Sequence, residues 1–169
     1  MNIRVEIWTW SRIGIYIYNV EQDELRPALI RGKDFPRNIQ SLATDQKNLY
    51  IGMKDEVGCY SFATSDYQVI SHPEFFYIST LMLDSSENTL WIGNARHLHR
   101  MNLDTKEIER VRDFYVVKSI AKDDNNLLIG TDNGLYVMRQ TGHLASDFTR
   151  CTKQSIPVQQ RSQYVLQGC

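Results

Sequence analysis

Several things are scarce in this chain of 169 residues. Only three are cysteine, nine glycine, four proline and four histidine. Cys59, Cys151 and Cys169 are odd in number and irregular in spacing, which excludes a disulfide framework, and the absence of a Cys-x-x-Cys pair argues against a structural zinc site. Low glycine and proline exclude collagen-like and low-complexity chains. No excess of one charge exists, with 19 Lys+Arg against 20 Asp+Glu, so there is no electrostatic footprint for nucleic acid. No apolar run is long enough for a transmembrane helix. The start, Met1-Asn2-Ile3-Arg4-Val5-Glu6 before Trp8 and Trp10, lacks the basic, apolar and small-residue regions of a signal peptide. What is plentiful is apolar: 42% of residues are hydrophobic, enough for one ordinary domain with a sizeable core.

That apolar content recurs in a pattern. Residues 39–52 read IQSLATDQKNLYIG, residues 78–93 ISTLMLDSSENTLWIG and residues 117–130 VKSIAKDDNNLLIG. The shared frame is an aliphatic residue, a variable one, Ser or Thr, Leu or Ile, two residues and Asp. A polar turn and Leu-(Tyr/Trp/Leu)-Ile-Gly follow. Ser41, Thr80 and Ser119 are 39 residues apart, and Gly52, Gly93 and Gly130 are 41 and 37 apart. Partial copies flank these: Ile7–Trp10 with Gly14–Asn19, and Ser162–Leu166 as the opening of a further unit.

Each unit divides into four short strands, typified by Ile39–Ala43, Leu49–Gly52, Gly58–Phe62 and Tyr67–Ile70 (A to D), with polar turns between them. Asn133-Gly134 marks a hairpin. No segment has a long helical period. A repeat of about 40 residues with four strands is the mark of a β-propeller blade. The expectation is all-β: a partial propeller of about four blades, an open arc in one domain. Its parts are a partial blade at 1–38, blades at 39–77, 78–116 and 117–160, and the start of a truncated blade at 161–169. Gly142–Phe148 reads as the last outer strand. Trp8, Tyr50 and Trp91 are expected to pack between blades, Cys59 to be a small buried apolar residue, and Asp45, Asp84 and Asp123 to cap the A–B turns.

Asn88-Thr89-Leu90-Trp91-Ile92-Gly93 and Leu128-Ile129-Gly130-Thr131-Asp132-Asn133-Gly134-Leu135-Tyr136 resemble the two-component regulator propeller repeat, of the form D-x-x-G-x-L-W-I-G-T-x-x-G-L-Y. The resemblance runs from residue 1 to about 140. Two departures stand out: His97 occupies the place of the second glycine, and Val57-Gly58 follows a loop read as two residues longer. What the resemblance implies is the periplasmic sensor region of a hybrid two-component histidine kinase, which binds oligosaccharides and signals their presence. Any kinase would belong to a parent protein. An arc of this kind exposes two blade faces, to be covered by the remaining blades of a parent sensor or by self-association.

In an A-B-C-D blade the B–C and D–A loops share one edge. These loops vary most here and hold aromatics beside Arg, Asn and Asp, a mixture that suits sugar rings and, through Arg, sulfate or uronate groups. The candidate ligand-binding residues are Trp10, Arg12, Arg37, Tyr77, Arg96 and Tyr115. His97 and His99 share a strand face, but a metal would need a third ligand from another blade, so no metal site is expected, and no cofactor. His72 and His143 have no evident partner. No G-x-S-x-G, P-loop or dinucleotide motif occurs, so the expectation is a non-enzyme. The alternatives are a propeller scaffold for protein–protein contact and a propeller lyase or glycosidase acting through carboxylates confined to one blade.

Overall fold

The computed structural model describes residues 6–11, 13–30, 33–45, 47–123, 126–139 and 147–150. Arg12, His143, Cys151, Cys169 and the strand expected at Ser162–Leu166 lie outside the described residues. All the regular structure described is β-strand, and no helix there is long and apolar enough to cross a membrane.

The strands form four antiparallel sheets in sequence order. The first holds β1 (Glu6–Ser11), β2 (Gly14–Asn19) and β3 (Glu24–Pro27). A two-stranded ladder of β4 (Leu29–Ile30) and β5 (Lys33–Asp34) follows. The second sheet holds β6 (Ser41–Thr44), β7 (Asn48–Gly52), β8 (Glu56–Ser61) and β9 (Tyr67–Ser71). The third holds β10 (Thr80–Asp84), β11 (Thr89–Gly93), β12 (His97–Asn102) and β13 (Ile108–Asp113). The fourth holds β14 (Val117–Asp123), β15 (Asn126–Thr131), β16 (Gly134–Arg139) and β17 (Asp147–Arg150). The A strands β6, β10 and β14 lie side by side, so the sheets stack as blades of a partial propeller.

The alternation of strand side chains explains the Leu-x-Ile signature. Leu49 and Ile51 of β7 join Ile15 and Ile17 of the first blade in one core cluster, while Tyr50 between them points into the next. That second cluster takes Leu90 and Ile92 from β11, and Trp91 turns the other way to meet Leu127, Ile129 and Met138 of the fourth blade. The second and third blades thus each offer two aliphatics to the blade before and one large ring to the blade after. Tyr50 and Trp91 are buried, and Trp8 packs on Phe62 and Phe35 in the first cluster. Cys59 is half-buried against the second cluster.

The Ser/Thr and Gly of the repeat face each other: Ser41 pairs with Gly52, Thr80 with Gly93 and Ser119 with Gly130. A Cβ on Gly93 would stand 2.5 Å from Val117 Cγ1 and 2.7 Å from Thr80 Cγ2, so close approach of the A strand and the next blade demands the glycine.

The register corrects the reading of the hairpins. Four residues separate Gly52 from its partner Val57, and four separate Gly93 from Leu98 and Gly130 from Leu135. The second blade's loop is therefore no longer than the others. Glu56 stands at the place of Gly134, and Val57 at that of Leu135. By the same register Trp10, paired with Ile15, occupies the position of the packing glycines. The described first sheet has no A strand to crowd it, and a tryptophan fits, 44% exposed.

Two of the A–B turns are capped as expected, by Asp45 and Asp84. Asp45 Oδ1 accepts from the backbone N–H of Lys47 at 2.9 Å and of Asn48 at 2.6 Å. Asp84 Oδ1 accepts from the backbone of Ser86 and Glu87 and from the Ser86 hydroxyl. Residues 124 and 125 of the Asp123 turn lie outside the described residues. Asp84 also receives Lys122 of the next blade at 2.6 Å. Burial pushes its carboxyl up, but the Lys122 and Ser86 contacts outweigh that and hold it below the ordinary aspartate range. The first three C–D turns share a device that the sequence did not disclose: Asp23, Ser65 and Lys106 all have left-handed backbone, after Asn19, Ser61 and Asn102 side chains that cap the turn.

Candidate functional site

The B–C and D–A loops meet on one edge of the arc. Backbone hydrogen bonds weave them together: Ile78 N–H to the Lys54 carbonyl, Ala95 N–H to Phe76, Phe114 N–H to Arg96 and Val116 N–H to Ala95. Three residues at one place in the repeat, Asn38, Tyr77 and Val116, have left-handed backbone (φ 64°, 53° and 49°) just before the aliphatic residue that opens the unit, Ile39, Ile78 or Val117. The residues before them, Arg37, Phe76 and Tyr115, are exposed. In Asn left-handed backbone costs little; in Tyr and the β-branched Val it is strained.

Of the expected ligand residues, Tyr77, Arg96 and Tyr115 fall on adjoining loops of this edge. Tyr77 is 51% and Tyr115 66% exposed. Two cations cover neighbouring rings: Lys54 Nζ lies 5.6 Å from the Tyr77 centroid and the Arg96 guanidinium 4.9 Å from that of Phe76. Phe76 and Tyr77 are themselves edge to face at 5.4 Å. Arg37 lies further along. Pro36–Asn38 and Met53–Glu56 enclose a shallow depression of about 380 Å³ in which Arg37 and Lys54 face Asp55 and Glu56. Trp10 sits at the end of β1, on the strand face of Trp8, and is not joined to the others by the interactions above. Lys54 and Phe76 were absent from the sequence candidates. Their signal was adjacency to Asp55 and Tyr77 in loops already marked as variable.

Imidazole and carboxylate groups gather at the outer part of the same edge. His72 and Glu74 come from the loop after β9, and His99 from β12 of the following blade. One ligating atom from each lies within 4.8 Å of the others. His99 is fully buried, ringed by His72, Phe75 and His97 at centroid distances of 5.4–5.6 Å. Its Nε2 lies 3.3 Å from Glu74 Oε2, whereas its Nδ1 has no hydrogen-bond partner. Glu74 Oε1 meets Arg110 at 3.1 Å. The His99 contact, ahead of Arg110 and the nearby imidazoles, holds the Glu74 carboxyl below its ordinary range against its partial desolvation. Burial pushes His99 down, beyond the upward pull of Glu74. A neutral His99 meets the Glu74 carboxylate as a donor, from Nε2–H. His97 is separately engaged with Asp113 at 3.0 Å. His72, expected to lack a partner, accepts the Glu74 backbone N–H at its Nδ1 (3.3 Å) and packs on Phe75 and His99.

No family model and no curated protein matches the chain. Solved structures do. The N-terminal domain of Nup159 aligns with a TM-score of 0.63 at 12% identity, over 90% of this chain and 44% of that one, which shows the fold alone. The extracellular domain of the putative hybrid two component system BT4673 from B. thetaiotaomicron is nearer in sequence, with 25% identity and a TM-score of 0.71 over 89% of this chain. A second structure of that domain, described as a putative one component system, gives 26% identity and a TM-score of 0.72 over 91%. The chain spans 22% of the length of either. It is a partial β-propeller similar to the extracellular domain of a two-component sensor.

Proposed function

We propose that the chain is a ligand-sensing segment of a two-component sensor's propeller, working on the periplasmic side and binding an oligosaccharide that carries sulfate or uronate groups. The observation that carries this reading is the 25% identity with the extracellular sensor domain over 89% of the chain. The chemistry of the loop edge supports the ligand class. The exposed Tyr115 ring, and the Tyr77 and Phe76 rings with one face already under Lys54 and Arg96, offer apolar surface for sugars, and Arg37, Lys54 and Arg96 offer donors for anionic substituents.

In this reading the chain performs no bond chemistry. Binding favours one arrangement of the loop edge over another, and only that difference in affinity reaches the rest of the receptor. The outward faces of the first and fourth blades, where Ile7 is 50% exposed, then meet further blades of the parent sensor.

Calorimetric titration with neutral, uronate-bearing and sulfated oligosaccharides tests this. Saturable binding of an anionic sugar is expected, lost on Tyr77→Ala and on Arg96→Ala. No binding by any member of the panel, or binding indifferent to both changes, contradicts it; capture of a protein with no affinity for sugars would establish the scaffold alternative instead.

A further inference from the structure

We infer that His72, Glu74 and His99 form a binding site for a divalent transition-metal ion of the zinc class. The inference is independent of the proposed sugar site.

Two observations carry it. The donor set is two imidazoles and one carboxylate, a combination suited to zinc and its neighbours and unlike the all-oxygen shells of calcium or magnesium. The ligating atoms already lie within 4.8 Å of one another. Bonds of about 2.1 Å put the ligands of a tetrahedral ion roughly 3.4 Å apart, so a modest closure completes the site. His99 has no exposed surface, and its Nε2, the nitrogen that meets Glu74 Oε2, is the atom that an ion beside Glu74 takes up once its proton is lost.

The surroundings are built to orient such a set. Arg110 holds Glu74 Oε1 and leaves Oε2 turned to His99. Asn94, fully buried, donates from Nδ2 to the Glu74 carbonyl at 3.0 Å and fixes the loop backbone. Outer contacts of this type position metal ligands. Phe75 packs edge to face on His99 and excludes water from one side. Three protein ligands leave an open coordination position. Because the ligands come from the loop after β9 and from strand β12, the ion fastens one blade's exit loop to the next blade.

The test is titration of the full chain with Zn²⁺ after chelator treatment, in a background with Cys151 and Cys169 changed to Ser so that thiolates do not compete. Calorimetry should give one equivalent bound, with a rise in melting temperature. His72→Ala and Glu74→Gln lie on a half-buried loop and leave the strand core intact; each should weaken binding at least about tenfold. His99→Ala should abolish binding, but because that ring is buried, the two loop variants decide the matter. Co²⁺ in place of Zn²⁺ should show ligand-field bands of a nitrogen–oxygen site without thiolate charge transfer. No saturable binding by the full chain, or unchanged affinity in both loop variants, overturns the inference.

Discussion

The two edges of the blade stack use polar residues in different proportions. On the edge of the A–B and C–D turns, side chains are spent on nearby backbone. Asp45, Asp84, Asn19 and Asn102 each satisfy two backbone N–H groups of their own turn. On the edge of the B–C and D–A loops, Asn94 caps its own loop in the same manner and backbone joins loop to loop, but Arg37, Lys54, Phe76, Tyr77, Arg96 and Tyr115 remain exposed. One edge is occupied with holding the fold; the other has side chains to spare for a ligand. A similar division holds in many repeat proteins, whose variable loops gather on one face.

Substitutions can sharpen or break this contrast. The largest effect is expected at the turn edge. Asp84→Ala removes three cap contacts and leaves Lys122 without its carboxylate, at a cost of about 3 kcal/mol in denaturant unfolding. Because the Asp84 pKa is lowered in the folded state, its contribution is complete above the ordinary aspartate pKa of about 4 and fades as pH falls through the lower folded value. The wild type should therefore lose more stability than Asp84→Ala on acidification across that range. Next, Gly93→Ala at the loop end of β11 forces a Cβ against Val117 and should cost about 2 kcal/mol. A smaller effect of opposite sign is expected at Val116. Asn tolerates left-handed backbone, so Val116→Asn should raise stability by about 1 kcal/mol, read as a higher melting temperature. Smallest of all, Tyr77→Ala should change stability by less than about 0.5 kcal/mol while removing sugar affinity. A large loss of stability there would mean that the loop edge, too, is occupied with the fold.

The spacing of Ser41, Thr80 and Ser119 and of the three glycines disclosed the blades, because a cross-strand contact repeated in each blade imposes the same residue types each time. The alternation in Leu-Tyr-Ile and Leu-Trp-Ile was legible as burial, but which neighbour each side chain met was not. The hairpin lengths were misread because Glu56 replaces the expected glycine, and only the pairing of Gly52 with Val57 restores the count. The C–D turns escaped notice because Asn19, Ser61 and Asn102 do one job with different residues. The His72–Glu74–His99 cluster could not be seen in a linear reading. His99 lies 25 residues beyond Glu74, and the contact depends on how one blade's loop lies against the next. The candidates on the loop edge come from loop variability together with the aromatic and Arg side chains those loops carry. Those signals located Tyr77, Arg96 and Tyr115 on adjoining loops but gave no hint that Trp10 occupies a glycine position.

Hydrogen exchange of the full chain, with and without the tightest-binding anionic oligosaccharide, addresses the division between edges most directly. Slower exchange is predicted in residues 36–38, 53–56, 74–78, 94–97 and 114–116, with no change at the turns around Asp45 and Asp84. Protection at those turns, or none at the loops, would contradict the account.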